Sequence, residues 1–168
     1  MPASTLNPAV CYRPQCGADA VRAVLDALHW WSERSQDHHS NQRRHCRNLY
    51  EAVVLMQPLP ADSRPSAQRN ARPVQLLVQA RNLSQSGISL LAAPRFEPNL
   101  IADDTPLISA EAIFRLGRPM AIALNLTQQL PLWMEGQVVR VRRVHQGFLE
   151  VGIRFTRRTG GQQPATST

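Results

Sequence analysis

Between Leu49 and Phe155 the apolar residues recur at every second position, in short runs separated by polar turns. Tyr50, Ala52, Val54 and Met56 share one side of the first run. Val74, Leu76, Val78 and Ala80 share one side of the second, with Gln75, Gln79 and Arg81 opposite. Ile88, Leu90 and Ala92 follow, then Met120 to Leu126, then Gly136 to Val144. In that run Val139 and Val141 fall on one side and Arg140 and Arg142 on the other. Leu149, Val151, Ile153 and Phe155 close the series, after a turn at His145-Gln146-Gly147. A period of two is what a strand with one buried face produces. Five or six such strands, with no internal repeat and no βαβ rhythm, predict an antiparallel barrel or sandwich. The stretch from Ala93 to Pro119 is less regular and predicts a short helix near Ile108 to Phe114.

A different period precedes the strands. Val21, Val24, Leu25, Leu28 and Trp31 form one apolar stripe at helical spacing, predicting an amphipathic helix over 17–36. Asp19 suits its N-cap. The stripe needs cover, either from the strands or from a second copy of the chain in a homodimer. Residues 1–16, rich in Pro, Ala, Ser and Thr, are expected to be disordered, as is the tail 159–168. Residues 37–47 read as a basic linker and 48–158 as the barrel. The barrel includes a Pro- and Ser-rich loop between Leu59 and Pro73.

Composition narrows the function classes. The 168 residues carry a formal charge of +7, and every basic residue is arginine. That favours an anionic partner, because guanidinium grips phosphate bidentately. No apolar run reaches the roughly 18 residues of a membrane span, and no apolar segment follows a basic start. The expected location is the cytoplasm. Three cysteines, an odd number, argue against a disulfide framework. Cys11, Cys16, His38, His39, His45 and Cys46 lack the paired spacing of a zinc site, so no metal and no cofactor is expected. No paired carboxylates, no phosphate loop followed by lysine and no nucleophile with an evident base point to an enzyme.

Two short motifs remain. Arg43 and Arg47 stand four apart just before the first strand, with Arg44 between them. The spacing alone means little, since Arg154 and Arg158 repeat it. Asn82, Ser84 and Gly87 form Asn-x-Ser-x-x-Gly at the end of the second strand. Each residue type there is also a plain turn former.

Order and context give the pair weight. The arginine pair comes first, the second motif follows one strand later, and the chain closes with Gly-Gln-Val-Val-Arg and Gly-Ile-Arg-Phe strands. Over about residues 42–158 this assembly resembles the PilZ domain, the bacterial receptor domain for cyclic di-GMP. The resemblance implies a six-stranded antiparallel barrel, here with an N-terminal α-helix, and a ligand held between the two motifs. It implies Arg43, Arg44 and Arg47 as one half of the site and Asn82, Ser84 and Gly87 as the other. Arg140 and Arg142 are candidates for packing on a guanine, by analogy with relatives that place a side chain on the fifth strand there. Cys46 stands where relatives often have proline.

The chemistry is compatible with that implication. Cyclic di-GMP offers two phosphodiesters, and each guanine presents O6 and N7 on one edge, a pair that arginine reads bidentately. Asn82 can donate and accept, Ser84 offers a small hydroxyl, and Gly87 permits close approach of backbone. The segment from Ser35 to Arg47 has no apolar anchor, so the ligand is expected to order it and change the surface shown to a protein partner, which the sequence does not name. Two other readings stay open: a PilZ-like protein-interaction domain that binds no ligand, and a basic nucleic-acid-binding barrel. The scarcity of strand aromatics argues against the latter.

Overall fold

The computed structural model describes residues 9–34, 48–60, 73–99, 105–127 and 130–160. The arginine motif, the Pro- and Ser-rich loop and the expected disordered tail beyond residue 160 lie outside these residues. The strands are β1 (Val10–Pro14), β2 (Asn48–Leu49), β3 (Val53–Pro58), β4 (Val74–Ser84), β5 (Gly87–Ala92), β6 (Arg95–Pro98), β7 (Ile108–Ser109), β8 (Pro119–Leu124), β9 (Leu132–Arg143) and β10 (Leu149–Gly160). Two α-helices, α1 (Ala18–Arg34) and α2 (Ala110–Ile113), and a 3-10 turn at His145–Gly147 complete the described elements.

Six strands close a barrel in the order β3-β8-β9-β10-β5-β4, with β4 returning to pair with β3. All of these pairings are antiparallel. Closure leaves the barrel without a free edge. The inward rows are those the period of two predicts: Val54 and Met56, Leu76, Val78 and Ala80, Ile88, Leu90 and Ala92, and Leu149, Val151 and Ile153 are all buried in one core. Tyr50 and Phe155 pack at its rim.

Four short strands extend the barrel. β2 pairs with β4 at Asn48↔Leu83 and Leu49↔Asn82. β5 occupies the other edge of β4 there, so β2 continues along the edge that β3 has left. β1 lies parallel to β4 and antiparallel to β6. This strand falls where the composition predicts disorder in 1–16. Its order comes from long-range pairing and from Tyr12, which is buried in the barrel core. β6 and β7 likewise organise part of the stretch read as irregular, and α2 is the short helix expected there.

Helix α1 packs on the outside of the barrel. Val24, Leu25 and Leu28 are buried against Leu91, Ala93 and Phe148, with Val21 at the margin. The stripe therefore finds its cover within the chain. Trp31, the last residue of the expected stripe, is 63% exposed and meets the Trp30 ring edge-on. Asp19 does not cap the helix. The amide of Ala20 reaches the Gly17 carbonyl, and Asp19 sits in the first turn, where its charge faces the positive helix end.

One facing assignment changes. β9 pairs Val138 with Ile153 and Arg140 with Gly152, so Val139 is an extra residue in a β-bulge. Val138 enters the core in its place and Val139 is exposed.

Candidate functional site

The second motif spans the β4–β5 hairpin. Gln85 and Ser86 form its turn, and Ser84 pairs with Gly87 across it. The Ser84 hydroxyl donates to the Gly87 carbonyl at 3.2 Å and lies 3.4 Å from the Ser86 hydroxyl. The turn residues thus support one another locally, as turn formers do. Gly87 has a structural necessity of its own. A Cβ there would stand 2.2 Å from the Ile153 carbonyl oxygen, so no side chain fits.

A bulge aims the rest of the motif. β4 pairs Ala80 with Leu90 and Asn82 with Ser89, leaving Arg81 as the extra residue. Strict alternation from the buried Leu76, Val78 and Ala80 would send Asn82 and Ser84 into the core. The bulge reverses the parity. Leu83 packs against the core opposite Ile88, while Asn82 and Ser84 come to the outer face.

The outer face can be followed row by row across the strands. Ser84, Gly87, Arg154 and Gln137 form the row at the turn. Asn82, Ser89, Gly152 and Arg140 form the next. Gln79, Leu91, Glu150 and Arg142 form the third, which borders α1. Among the described residues the Asn82 side chain has no hydrogen-bond partner, and it is half-buried.

Glu150 is the electrostatic centre of this face. It is 3% exposed and accepts from three guanidiniums: Arg81 at 3.1 Å, Arg140 at 3.0 Å and Arg142 at 2.5 Å. Burial pushes its carboxyl upward, but Arg140, Arg142 and Arg81 together outweigh that and hold it below the ordinary range. Arg81 is 6% exposed, and burial lowers its own pKa while Glu150 opposes the shift. Its Nη2 donates to the Leu28 carbonyl at 3.0 Å. One buried guanidinium, next in sequence to Asn82, therefore ties the motif strand to both Glu150 and helix α1.

The candidate arginines Arg140 and Arg142 lie on this face, but both are engaged by Glu150. Arg140 flanks the Asn82 row, and a Cβ added at Gly152 would lie 3.3 Å from Arg140 Cβ. Arg142 lies one row farther, toward α1. Arg43, Arg44 and Arg47 lie outside the described residues. Sequence reading missed Arg81 and Glu150. The signal for Glu150 was present: it is the one acidic residue on the outward side of its strand, opposite two outward arginines.

Among the described residues no cluster of metal-ligating side chains occurs and no helix is long and apolar enough to cross a membrane. The described strands form a small closed barrel that carries a polar hairpin on its outer face. The PilZ domain profile matches residues 41–164, and the chain belongs to that family, whose members are binding and effector modules and generally receive cyclic di-GMP. Among solved structures it is similar to the inhibitor of motility MotI/DgrA of Bacillus subtilis, at 15% identity and a TM-score of 0.41. That similarity covers 72% of this chain and 46% of the other, so this chain spans less than half the length of that protein. No curated protein matches the chain.

Proposed function

We propose that this chain is a cyclic di-GMP receptor that binds the dinucleotide on the outer face of the barrel, between the Asn82–Gly87 hairpin and the arginine motif. The observation that carries the reading is the β2–β4 pairing. Asn48 lies opposite Leu83, one residue from Ser84. Arg47 precedes Asn48, so its Cα is about 3.8 Å from that of Asn48. Arg43 is five residues from Asn48 and is tethered within about 18 Å of it. Chain connectivity therefore keeps the arginines within reach of the end of β4 that carries Asn82 and Ser84, which supports the reading.

The chemistry divides naturally. Arg43, Arg44 and Arg47 take phosphodiester oxygens and a guanine O6/N7 edge. Asn82 meets donor and acceptor groups of a guanine, and Ser84 offers its hydroxyl beside them. Arg140 and Arg142 stack on a base only after leaving Glu150, which makes them secondary contacts. No bond is made or broken. Binding orders the arginine segment on the barrel and alters the surface offered to a protein partner.

Calorimetry at physiological salt tests the reading, with cyclic di-GMP, GTP and a short oligonucleotide titrated in parallel. Saturable binding of cyclic di-GMP alone is expected. Equal binding of all three would transfer the site to the nucleic-acid reading, since charge alone does not discriminate among them.

A further inference from the structure

The arginines of β9 and β10 are not equivalent. Arg140 and Arg142 pair with Glu150, Arg143 pairs with Glu111, and Arg157 pairs with Glu135. Arg154 is exposed, and among the described residues no carboxylate pairs with it. It stands in the row of Ser84 and Gly87.

We infer that Arg154 is a further ligand-binding residue, taking a phosphodiester oxygen of the dinucleotide held at the Asn82–Gly87 hairpin; this rests on the receptor reading above. Three observations converge on it. First, register places Arg154 two strands from Ser84, about 10 Å across the sheet. The position between them is Gly87, and the contact of 2.2 Å that an added Cβ would make with the Ile153 carbonyl keeps it bare. In the neighbouring row the Arg140 side chain lies over Gly152 on its way to Glu150, so the low floor is Gly87, with the Ser84 and Arg154 positions on either side of it.

Second, a polar atom lacks a partner at the edge of that floor. Ser89 is 5% exposed and its hydroxyl has no hydrogen-bond partner among the described residues. It sits between Asn82 and Gly152 in register. A buried hydroxyl without a partner calls for an explanation, and a bound water or ligand atom beside Asn82 would supply one. Third, an exposed guanidinium with no carboxylate to satisfy it has its forked donors available to an anion.

Arg158 provides the control. It is also exposed, and also without a carboxylate among the described residues, but it lies four residues farther along β10. That is about 13 Å beyond the row of Ser84. Bulk charge affects the two positions alike, whereas a contact separates them.

The experiment is calorimetry of the full chain with cyclic di-GMP at physiological salt, for the wild type, Arg154→Ala, Arg154→Lys and Arg158→Ala, each with a melting curve. Arg154→Ala is expected to bind roughly tenfold more weakly or worse, the scale of a charged hydrogen bond. Its melting temperature should be unchanged. Arg158→Ala should bind within about twofold of wild type. Arg154→Lys should bind between Arg154→Ala and wild type, since ammonium keeps the point charge but lacks the fork. If Arg154→Ala binds as wild type does, the inference is wrong while the receptor reading stands. If Arg154→Lys binds more weakly than Arg154→Ala, positive charge at this position does not favour binding and the assignment is overturned. Absence of wild-type binding is the separate failure of the receptor reading, and the Arg154 contact falls with it.

Discussion

Glu150 is the residue on which the outer face depends. A carboxylate at 3% exposure between three guanidiniums is stable only while they stay in place. Glu150→Gln leaves Arg81 buried without its counter-charge and should cost about 3 kcal/mol, read by chemical denaturation. The pH dependence follows from the depressed carboxyl pKa. A depressed carboxylate contributes stability above its ordinary value of about 4.5, and that contribution is lost as pH falls through its lower folded value. Wild type should therefore lose stability steeply below pH 4.5, and Glu150→Gln should lose it less steeply. Equal slopes would show that Glu150 does not govern acid unfolding. The proposed binding is expected to depend on a different set of residues. Arg43→Ala and Arg47→Ala should each weaken cyclic di-GMP binding by roughly 1.5 to 3 kcal/mol in calorimetry. Uniform losses that extended to Arg158→Ala would mean only bulk charge was being measured.

At the scale of elements, α1 and the bulges decide what the barrel presents. Helix α1 is held by Val24, Leu25 and Leu28 and by the Arg81 bond to the Leu28 carbonyl. Leu25→Ala should cost about 2 to 4 kcal/mol, while Trp31→Ala should cost under about 1 kcal/mol, both by denaturant melts. Comparable losses would mean that Trp31 belongs to the packed face after all. The helix, the barrel strands and their inward rows were legible because hydrophobic period records burial directly. Strand β1 was not, because Val10–Pro14 is too short to show a period, and its partners lie far along the chain. The bulges at Arg81 and Val139 were not legible either. An extra residue in a strand leaves no mark in composition and appears only as a shift of register. The shift matters most at Asn82, since without it the motif would face the core. Both motifs were legible only as residue types in order; the β2–β4 pairing that tethers one to the other is a tertiary fact.

For the whole molecule, a charge of +7 attracts any polyanion, so selectivity has to come from a defined place on the surface. That place is expected at the hairpin Asn82–Gly87, with the arginine motif brought to it by β2. Saturating cyclic di-GMP should slow tryptic cleavage after Arg43, Arg44 and Arg47 and leave cleavage after Arg69, in the Pro- and Ser-rich stretch, unchanged. Unchanged cutting at all four sites, with binding confirmed, would remove the ordering switch and keep the site. Amide NMR during a titration with cyclic di-GMP decides whether the hairpin is where the ligand sits. Saturable shifts should concentrate at Asn82 to Ile88 and at Gly152 to Arg154, with β6 and β7 unmoved. Shifts scattered over the exposed arginines of β9 and β10, or no shifts at the hairpin while calorimetry records binding, would contradict the receptor site proposed for this face.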